Sequence, residues 1–247
     1  MMKNRSLVAL VTGANRGIGF ETARELARQG VTVLLSARTL ATAEQAAAIL
    51  YAEGLSSVIA IQLDVTHASD RAAVAHQIEK KFGYLDILIN DAAIGPREGT
   101  LFESRTIDTT IGELKDVFNT NLFSILLLTR DLLYLLLKSD AGRIVNVSSV
   151  LGSLTLHSDP TKPLAKRFSY SASKAALNLF TIQLSQELSG TRIKVNSVHP
   201  GWAKTAIGTD SAPMTAREAA GSSVAAALLG PDGPTGRFLH LGENIPW

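Results

Sequence analysis

Short, nearly continuous apolar runs alternate along the chain with longer stretches in which apolar residues recur at helical spacing. The first run, "LVALVTG", predicts a strand that ends at a glycine, and "GIGFETARELARQG" follows it with helical periodicity. Five further runs of the same kind and a last one near "GRFLHL" predict the remaining strands. Helices are predicted between them, including a long helical region over about residues 108–138 and helices over residues 169–189 and 215–229.

This alternation predicts the fold. Strands that alternate with helices form βαβ units, which build a parallel sheet. Nearly continuous apolar strands are typical of a sheet with both faces covered by helices. We therefore expect residues 1–247 to form a single α/β domain, a doubly wound Rossmann fold whose mostly parallel sheet has about seven strands flanked by helices. Functional residues are expected just after each strand, because ligands bind beyond the carboxyl ends of such sheets.

Composition and charge exclude several classes of protein. The chain has no cysteine, which excludes disulfides, zinc–thiolate sites and cysteine nucleophiles, and its scattered histidines lack metal-ligand spacing, so no metal site is expected. The formal net charge of +2 argues against nucleic acid as a partner. The most apolar segment, residues 122–138, is interrupted by Arg130 and Asp131 and is too short to span a bilayer. With an N-terminus that lacks the pattern of a signal peptide, these features predict a cytoplasmic protein without a membrane partner.

Glycines cluster at the end of the first predicted strand, in "VTGANRGIGFE". Gly13, Gly17 and Gly19 lie between this strand and the first helix. Glycine permits a tight turn and close approach to a pyrophosphate, and the N-terminus of the following helix offers free N–H groups. A glycine turn without a ligand is the alternative, but the strand–loop–helix context favours a dinucleotide-binding loop.

The charges around this loop favour NADP(H) over NAD(H). Folds that bind NAD tend to carry an acidic residue at the end of the second strand, whereas this strand ends in "LLSAR". Arg38 stands there instead, and Arg16 lies within the glycine loop; two guanidinium groups suit a 2′-phosphate, unless each is an ordinary surface residue. Asp64 closes the third strand, where it could accept a bond from an adenine amino group or cap the next helix.

Two tyrosine–lysine pairs have the four-residue spacing that brings side chains to one face of a helix. Tyr134 and Lys138 lie in a leucine-rich segment that looks like a buried helix, so Tyr134 is interpreted as a core or packing residue. Tyr170 instead begins a helix of small residues, and Ser148 and Ser149 emerge at the carboxyl end of the preceding strand. The surroundings therefore favour Tyr170 for chemistry.

The pair of Tyr170 and Lys174 suits proton transfer to a carbonyl group. A ketone that accepts a hydride develops negative charge on its oxygen, which a phenol can protonate while a serine hydroxyl donates a hydrogen bond. A nearby ammonium group is expected to lower the pKa of the phenol, and a bound cofactor would supply the hydride. The loops expected to shape substrate choice, residues 92–107, 150–168 and 203–215, show no strong pattern of acids or bases, which indicates an apolar carbonyl substrate.

The chain resembles the short-chain dehydrogenase/reductase (SDR) family over nearly its whole length. The similarity rests on "TGANRGIG", "LDILINDAA", "NTNLFS", "GRIVNVSS", "YSASK" and "HPGWAKT", in the order of the family, and the first and last of these most resemble carbonyl reductases. The resemblance implies a catalytic tetrad of Asn121, Ser149, Tyr170 and Lys174, with Ser148 a weaker candidate than Ser149. Asn121 would hold a water in a proton relay to Lys174, which would also bond the nicotinamide ribose.

The resemblance also extends the expected contacts with the cofactor. Pro200 and Gly201 would lie near the nicotinamide, Thr205 on its carboxamide or phosphate side, and Asn90 beside the adenosine half. The residues then expected to contact NADP(H) are Gly13, Asn15, Arg16, Gly17, Ile18, Gly19, Arg38, Asp64, Val65, Asn90, Tyr170, Lys174, Pro200, Gly201 and Thr205.

The expected function is NADPH-dependent reduction of a ketone, aldehyde or quinone, or the reverse oxidation of an alcohol, with Tyr170 as the proton donor. The partner would be a small-molecule carbonyl compound or alcohol. A nucleotide-sugar epimerase or dehydratase shares these motifs but normally adds a substrate domain. An NADPH-binding redox sensor or scaffold is the non-enzymatic alternative, although such proteins often lose a member of the tetrad.

One motif departs from the family pattern. The usual Asn-Asn-Ala-Gly is "NDAA" here, which places the carboxylate of Asp91 and the methyl group of Ala93 near the cofactor. The segment between Ser149 and Tyr170 is intermediate in length between those of monomeric and oligomeric members, so monomer, homodimer and homotetramer all stay open.

Overall fold

The structure, a computed structural model, describes residues 5–95 and 105–247 and centres on one sheet. In the described residues this sheet has eight strands in the order β3-β2-β1-β4-β5-β6-β7-β8. The pairings from β3 to β7 are parallel, and only the last, between β7 and β8, is antiparallel. The strands are β1 (Val8–Val11), β2 (Thr32–Ala37), β3 (Val58–Gln62), β4 (Ile87–Asn90), β5 (Arg143–Val147), β6 (Lys194–Val198), β7 (Phe238–His240) and β8 (Glu243–Asn244). The predicted doubly wound α/β fold is confirmed, with a two-residue strand added at one edge.

Helices cover both faces of the sheet. They are α1 (Gly17–Arg28), α2 (Leu40–Ala52), α3 (Ala68–Lys81), α4 (Ile111–Phe118), α5 (Ser124–Leu136), α6 (Leu154–His157), α7 (Phe168–Glu187) and α8 (Ala216–Ala227). Alternate residues of β1 show the two layers: Ala9 and Val11 pack with α1, α2 and α8, whereas Val8 and Leu10 pack with α3, α5 and α7. This burial of both faces explains the continuous apolar strands.

A turn of π-helix divides the long helical region predicted for residues 108–138. The chain forms α4, then a π-helical turn at Asn119–Phe123, then α5. Asn121 is fully buried in this turn, where its side chain bonds the backbone of Ile94 after β4. A π turn widens a helix by one residue, and it is frequent at functional sites. The periodicity of the sequence did not predict this interruption because the apolar positions continue through it.

Asp131, which interrupts the apolar segment of α5, forms an ion pair with Arg71 of α3. Arg71 Nε lies 3.1 Å from Asp131 Oδ2, and its Nη1 donates to the carbonyl of Val65 at 2.9 Å. The charges in this segment therefore join two helices of one layer. Over the described ranges, we find no helix with both the length and the apolar character needed to cross a membrane.

The strand order places a switch point between β1 and β4. From β1 the chain first builds outward through β2 and β3, then returns to build β4, β5 and β6 on the other side. The connections on the two sides diverge at this point, which opens a crevice beyond the carboxyl ends of the strands. The residues singled out by the sequence follow β1, β2, β3, β4, β5 and β6.

Candidate active site

A single cleft with a volume of about 1370 Å³ runs along the carboxyl ends of the strands, from the glycine loop to Tyr170. Most of the residues predicted from the sequence line it: Gly13, Asn15, Arg16, Gly17, Ile18, Arg38, Asp64, Val65, Ser149, Tyr170, Lys174, Pro200, Gly201 and Thr205. The weaker serine candidate, Ser148, also lines the cleft. Gly19, Asn90 and Asn121 do not belong to the lining.

The glycine loop has the geometry of an anion-binding turn. Gly13 and Gly17 have φ angles of 64° and 62°, in the left-handed region that side chains disfavour. Gly17 is the first residue of α1, and the side chain of its N-cap residue, Arg16, does not cap the helix, so the N–H groups of Gly17 and Ile18 remain available at the cleft. A Cβ on Gly19 would lie 2.6 Å from Asp91 Oδ2, so this glycine serves helix–strand packing rather than the lining of the cleft.

Arg16 and Arg38 extend from the glycine loop and from the end of β2 at one end of the cleft, and both are exposed. Asp64 lies at the same end, where its Oδ1 accepts bonds from Thr66 N at 2.9 Å and from Thr66 Oγ1 at 2.6 Å. Burial alone raises the pKa of Asp64, but these bonds and the nearby charges of His67 and Arg38 hold it below its ordinary value. Because α3 is preceded by His67, Asp64 stabilises the turn before the helix and is not its N-cap.

Asn90 and Asn121 both have buried side chains with partners inside the protein. Asn90 Nδ2 donates to Asn146 Oδ1 at 2.8 Å, so it links β4 to β5 and does not reach the adenosine end of the cleft as predicted. Asn121 accepts from Ile94 N at 2.9 Å and donates to Ile94 O at 2.9 Å. It also donates to Ser173 Oγ at 3.2 Å, on the helix that carries Tyr170. Its side chain thus fixes one wall of the site through Ile94.

Ser149, Tyr170 and Lys174 meet at the other end of the cleft. Ser149 follows β5, and its hydroxyl group is close enough to that of Tyr170 to lower the pKa of the phenol. The ammonium of Lys174, one turn further along α7, lies 5.6 Å from the centre of the Tyr170 ring and donates to the carbonyl of Val147 at 2.7 Å. Both side chains of α7 are buried, with only 8% of Tyr170 and 2% of Lys174 exposed.

The pKa of the phenol is the point on which the structure differs most from the sequence prediction. Burial raises the pKa of Tyr170 to about 12, and the charge of Asp91 also raises it. The hydroxyl of Ser149 and the charge of Arg167 lower the pKa, but burial has the larger effect. Burial also lowers the pKa of Lys174 to about 8, while Asp91 opposes that shift. In the protein without a ligand, the charge of Arg167 lowers the pKa of the phenol, but burial outweighs it.

The second pair, Tyr134 and Lys138, has nearly the same internal geometry. The ammonium of Lys138 lies 5.2 Å from the centre of the Tyr134 ring, but 40% of Tyr134 is exposed. Its hydroxyl donates to Glu79 of α3 at 3.1 Å, and Lys138 lies 3.5 Å from the same carboxylate. Of the two interpretations, a core residue or a packing residue, the first was therefore wrong, because Tyr134 lies on the outward face of α5. The sequence also predicted that Tyr134 takes no part in the site, and Tyr134 does not line the cleft.

Three further side chains line the cleft, and the sequence did not assign them a role. Asp91 accepts a bond from the backbone N–H of Gly19, and burial raises its pKa to about 7, although Lys174 opposes this. His199 accepts a hydrogen bond from Val150 N at 3.4 Å; burial and His240 lower its pKa to about 4, so it is neutral. The sequence contained one indication for each of these two residues: Asp91 lies in the unusual "NDAA" motif, and His199 comes directly before Pro200.

Arg167 is the third of these side chains, and its presence changes the expected character of the pocket. It precedes α7 and lines the cleft beside Leu164, Ile207 and Trp202. The sequence indicated an apolar carbonyl substrate, and the structure adds a guanidinium group that faces the same space as Tyr170. No motif contains this residue, and its position depends on the fold of residues 150–168.

Comparison with known proteins shows the family. The sequence model described as short chain dehydrogenase matches residues 7–216, and the chain belongs to this family of oxidoreductases. Ketoacyl reductase HetN of Nostoc sp. is 36% identical over 224 residues, which cover 89% of this chain and 73% of that protein. The (-)-isopiperitenone reductase of Mentha piperita is 32% identical over 300 aligned positions, covering 94% of this chain and 95% of that protein.

A solved structure supports the resemblance to carbonyl reductases. The NADPH-bound carbonyl reductase from chicken fatty liver has a TM-score of 0.84 at 27% identity, covering 98% of this chain and 100% of that chain. The predicted Rossmann fold and the similarity to carbonyl reductases are thereby confirmed.

Proposed function

We propose that this protein catalyses the NADPH-dependent reduction of a ketone, aldehyde or quinone carbonyl, with Tyr170 as the proton donor. The observation that carries the proposal is that Ser149, Tyr170 and Lys174 meet at one end of a cleft. The other end of the same cleft has two arginines and the N-terminus of α1, whose N-cap side chain forms no capping bond.

The residues of the cleft fit a nicotinamide dinucleotide phosphate. The free N–H groups at the start of α1 would hold the pyrophosphate, and Arg16 and Arg38 would hold the 2′-phosphate. Lys174 would bond the nicotinamide ribose, next to Pro200. When bound, this cofactor supplies the hydride. The similar protein from chicken fatty liver, whose structure is described as NADPH-bound, supports this choice.

The side chains around Tyr170 account for the rest of the reaction. Ser149 and Tyr170 donate hydrogen bonds to the carbonyl oxygen of the substrate, where negative charge develops. As the carbonyl carbon gains the hydride, the π electron pair moves to the oxygen and the phenol proton transfers to it, which gives the alcohol and a phenolate. Lys174 stabilises that phenolate electrostatically. A water held at the backbone carbonyl of Asn121 would return a proton through Lys174, because the side chain of Asn121 is already engaged.

Burial of Tyr170 keeps the proposed proton donor in its protonated form. With its pKa raised to about 12, the side chain is a neutral phenol at physiological pH and is ready to donate a proton. Oxidation of an alcohol would require the phenolate as a base, which the buried site disfavours in the absence of a cofactor.

The test is NADPH oxidation, followed by absorbance, with a panel of ketones, aldehydes and quinones. We expect turnover with at least one of these classes. A protein that binds NADPH but turns over none of them would instead fit the redox sensor or scaffold.

A second measurement tests the cofactor assignment. Changing Arg16 and Arg38 together to alanine should raise the KM for NADPH about tenfold or more and leave the KM for NADH nearly unchanged, since only NADPH carries the 2′-phosphate. Arg192→Ala is the control, because this exposed arginine pairs with Asp140 at the opposite end of the sheet. Equal use of NADH and NADPH by the unchanged protein would contradict the assignment.

A further inference from the structure

Arg167 occupies the substrate end of the cleft, three residues before Tyr170. It is the residue that precedes α7, and its charge is close enough to affect the phenol of Tyr170 electrostatically. Ile207, Leu164 and Trp202 line the same end. A ligand that presents its carbonyl group to Tyr170 therefore lies within reach of this guanidinium group.

The guanidinium group of Arg167 lacks the partners that such a group normally has. Its Nε is buried and has no hydrogen-bond acceptor in the described part of the chain. Nη1 donates to the carbonyl of Ile207 at 3.5 Å, which is long for a hydrogen bond. Buried polar atoms nearly always have a partner, so an unpaired guanidinium nitrogen beside a cleft indicates that a ligand supplies the acceptor.

Within the described ranges, no carboxylate acts on the charge of Arg167. The titratable group among these residues that raises its pKa is Tyr170. Burial lowers the pKa of Arg167, yet an arginine stays protonated at neutral pH. The substrate end thus presents a positive charge surrounded by apolar side chains.

We propose that Arg167 forms a subsite for the carboxylate of the substrate, so that the substrate class is the oxo acids rather than neutral carbonyl compounds. The inference rests on the proposed reductase function. A planar guanidinium group binds a carboxylate through two parallel hydrogen bonds, and its single charge matches that of one carboxylate. The apolar neighbours would contact the carbon chain between the carboxylate and the carbonyl group.

The experiment compares unbranched 2-oxo, 3-oxo and 4-oxo carboxylates with their methyl esters, in the unchanged protein and three variants. Arg167→Gln removes the charge, and Arg167→Lys keeps the charge but not the planar fork. Lys166→Gln is the matched control, because it removes the same charge from the neighbouring residue. The side chain of Lys166 is exposed and does not line the cleft. Circular dichroism and thermal melting establish that each variant is folded.

We expect at least one acid to be reduced with a kcat/KM about tenfold or more above that of its ester. Arg167→Gln should abolish this preference through KM, Arg167→Lys should restore part of it, and Lys166→Gln should keep it. Equal rates for acids and esters, or a preference that survives Arg167→Gln, would overturn the carboxylate subsite and leave the reductase function standing.

Calorimetric binding of the same carboxylates, with NADP⁺ present, separates the two proposals. If no carbonyl compound is reduced, the reductase function fails, but binding that is lost in Arg167→Gln and retained in Lys166→Gln would still support the subsite. Absence of binding by any carboxylate, or equal binding by Arg167→Gln, would refute it.

Discussion

The hydroxyl group of Tyr170 lies among one serine hydroxyl and the charges of Arg167 and Asp91, at the buried end of an open cleft. Tyr134 lies as close to a lysine as Tyr170 does, but its ring is on the surface and its hydroxyl binds Glu79. Burial, rather than distance to a cation, therefore distinguishes the two phenols. Burial raises the pKa of Tyr170, which keeps the proton in place until a substrate oxygen takes it.

The charge of Asp91 leads to a prediction about the pH dependence of the reaction. Its charge raises the pKa of both Lys174, which stands at about 8, and Tyr170. Reduction requires both groups to be protonated, so kcat/KM should fall as the pH rises through about 8. Asp91→Asn removes the negative charge, lowers both pKa values and should move this fall to lower pH by roughly half a unit or more.

The pH profile of kcat/KM measures this shift. The exposed carboxylate of Asp232 offers a control, since Asp232→Asn should leave the profile in place. A fall at the same or a higher pH in Asp91→Asn would show that Asp91 does not act on these groups.

At the scale of elements, the ends of separate strands and the first turns of α7 assemble the site. The residues after β4 and β5 supply Asp91 and Ser149, and α7 supplies Tyr170 and Lys174. The π-helical turn between α4 and α5 fixes Asn121 against Ile94. The position of α5 depends in turn on α3, to which it is joined by the ion pair of Arg71 and Asp131.

This ion pair predicts a specific loss of stability. Asp131→Asn should lower the free energy of unfolding by about 2–3 kcal/mol, because it leaves the buried charge of Arg71 without its partner. Arg130→Gln should lower it by less than about 1 kcal/mol, because Arg130 pairs with the same aspartate from the surface. Urea unfolding measures both, and equal effects of the two changes would refute the structural role of the buried pair.

The sequence predicted those parts of the site that depend on local pattern. The glycine loop, the serine at the end of β5 and the tyrosine–lysine pair of α7 each follow from their position after a strand or at the start of a helix. Asn90 was misplaced because its position at a strand end does not show that its side chain turns inward to Asn146. Arg167 was missed because it reaches the cleft through an irregular segment, whose path depends on tertiary packing rather than on periodicity.

At the scale of the whole molecule, the doubly wound sheet places a dinucleotide loop and a proton donor at two ends of one cleft. The loop belongs to the half built from β1, β2 and β3, and the donor to the half that contains β4, β5 and β6. The switch point between β1 and β4 lets one extended ligand contact both halves. This arrangement is the basis of the central claim: a dinucleotide held at the glycine loop reaches the other half, where hydride transfer is coupled to proton transfer from Tyr170.

The most direct test of that claim compares Tyr170→Phe with Tyr134→Phe in NADPH-dependent turnover of the best carbonyl substrate. Each change removes one hydroxyl from a tyrosine that lies four residues before a lysine, so the two variants are matched. We predict that Tyr170→Phe lowers kcat by about a hundredfold or more while it still binds NADPH, and that Tyr134→Phe stays close to the unchanged protein. Full turnover by Tyr170→Phe, or an equal loss in both variants, would contradict the account.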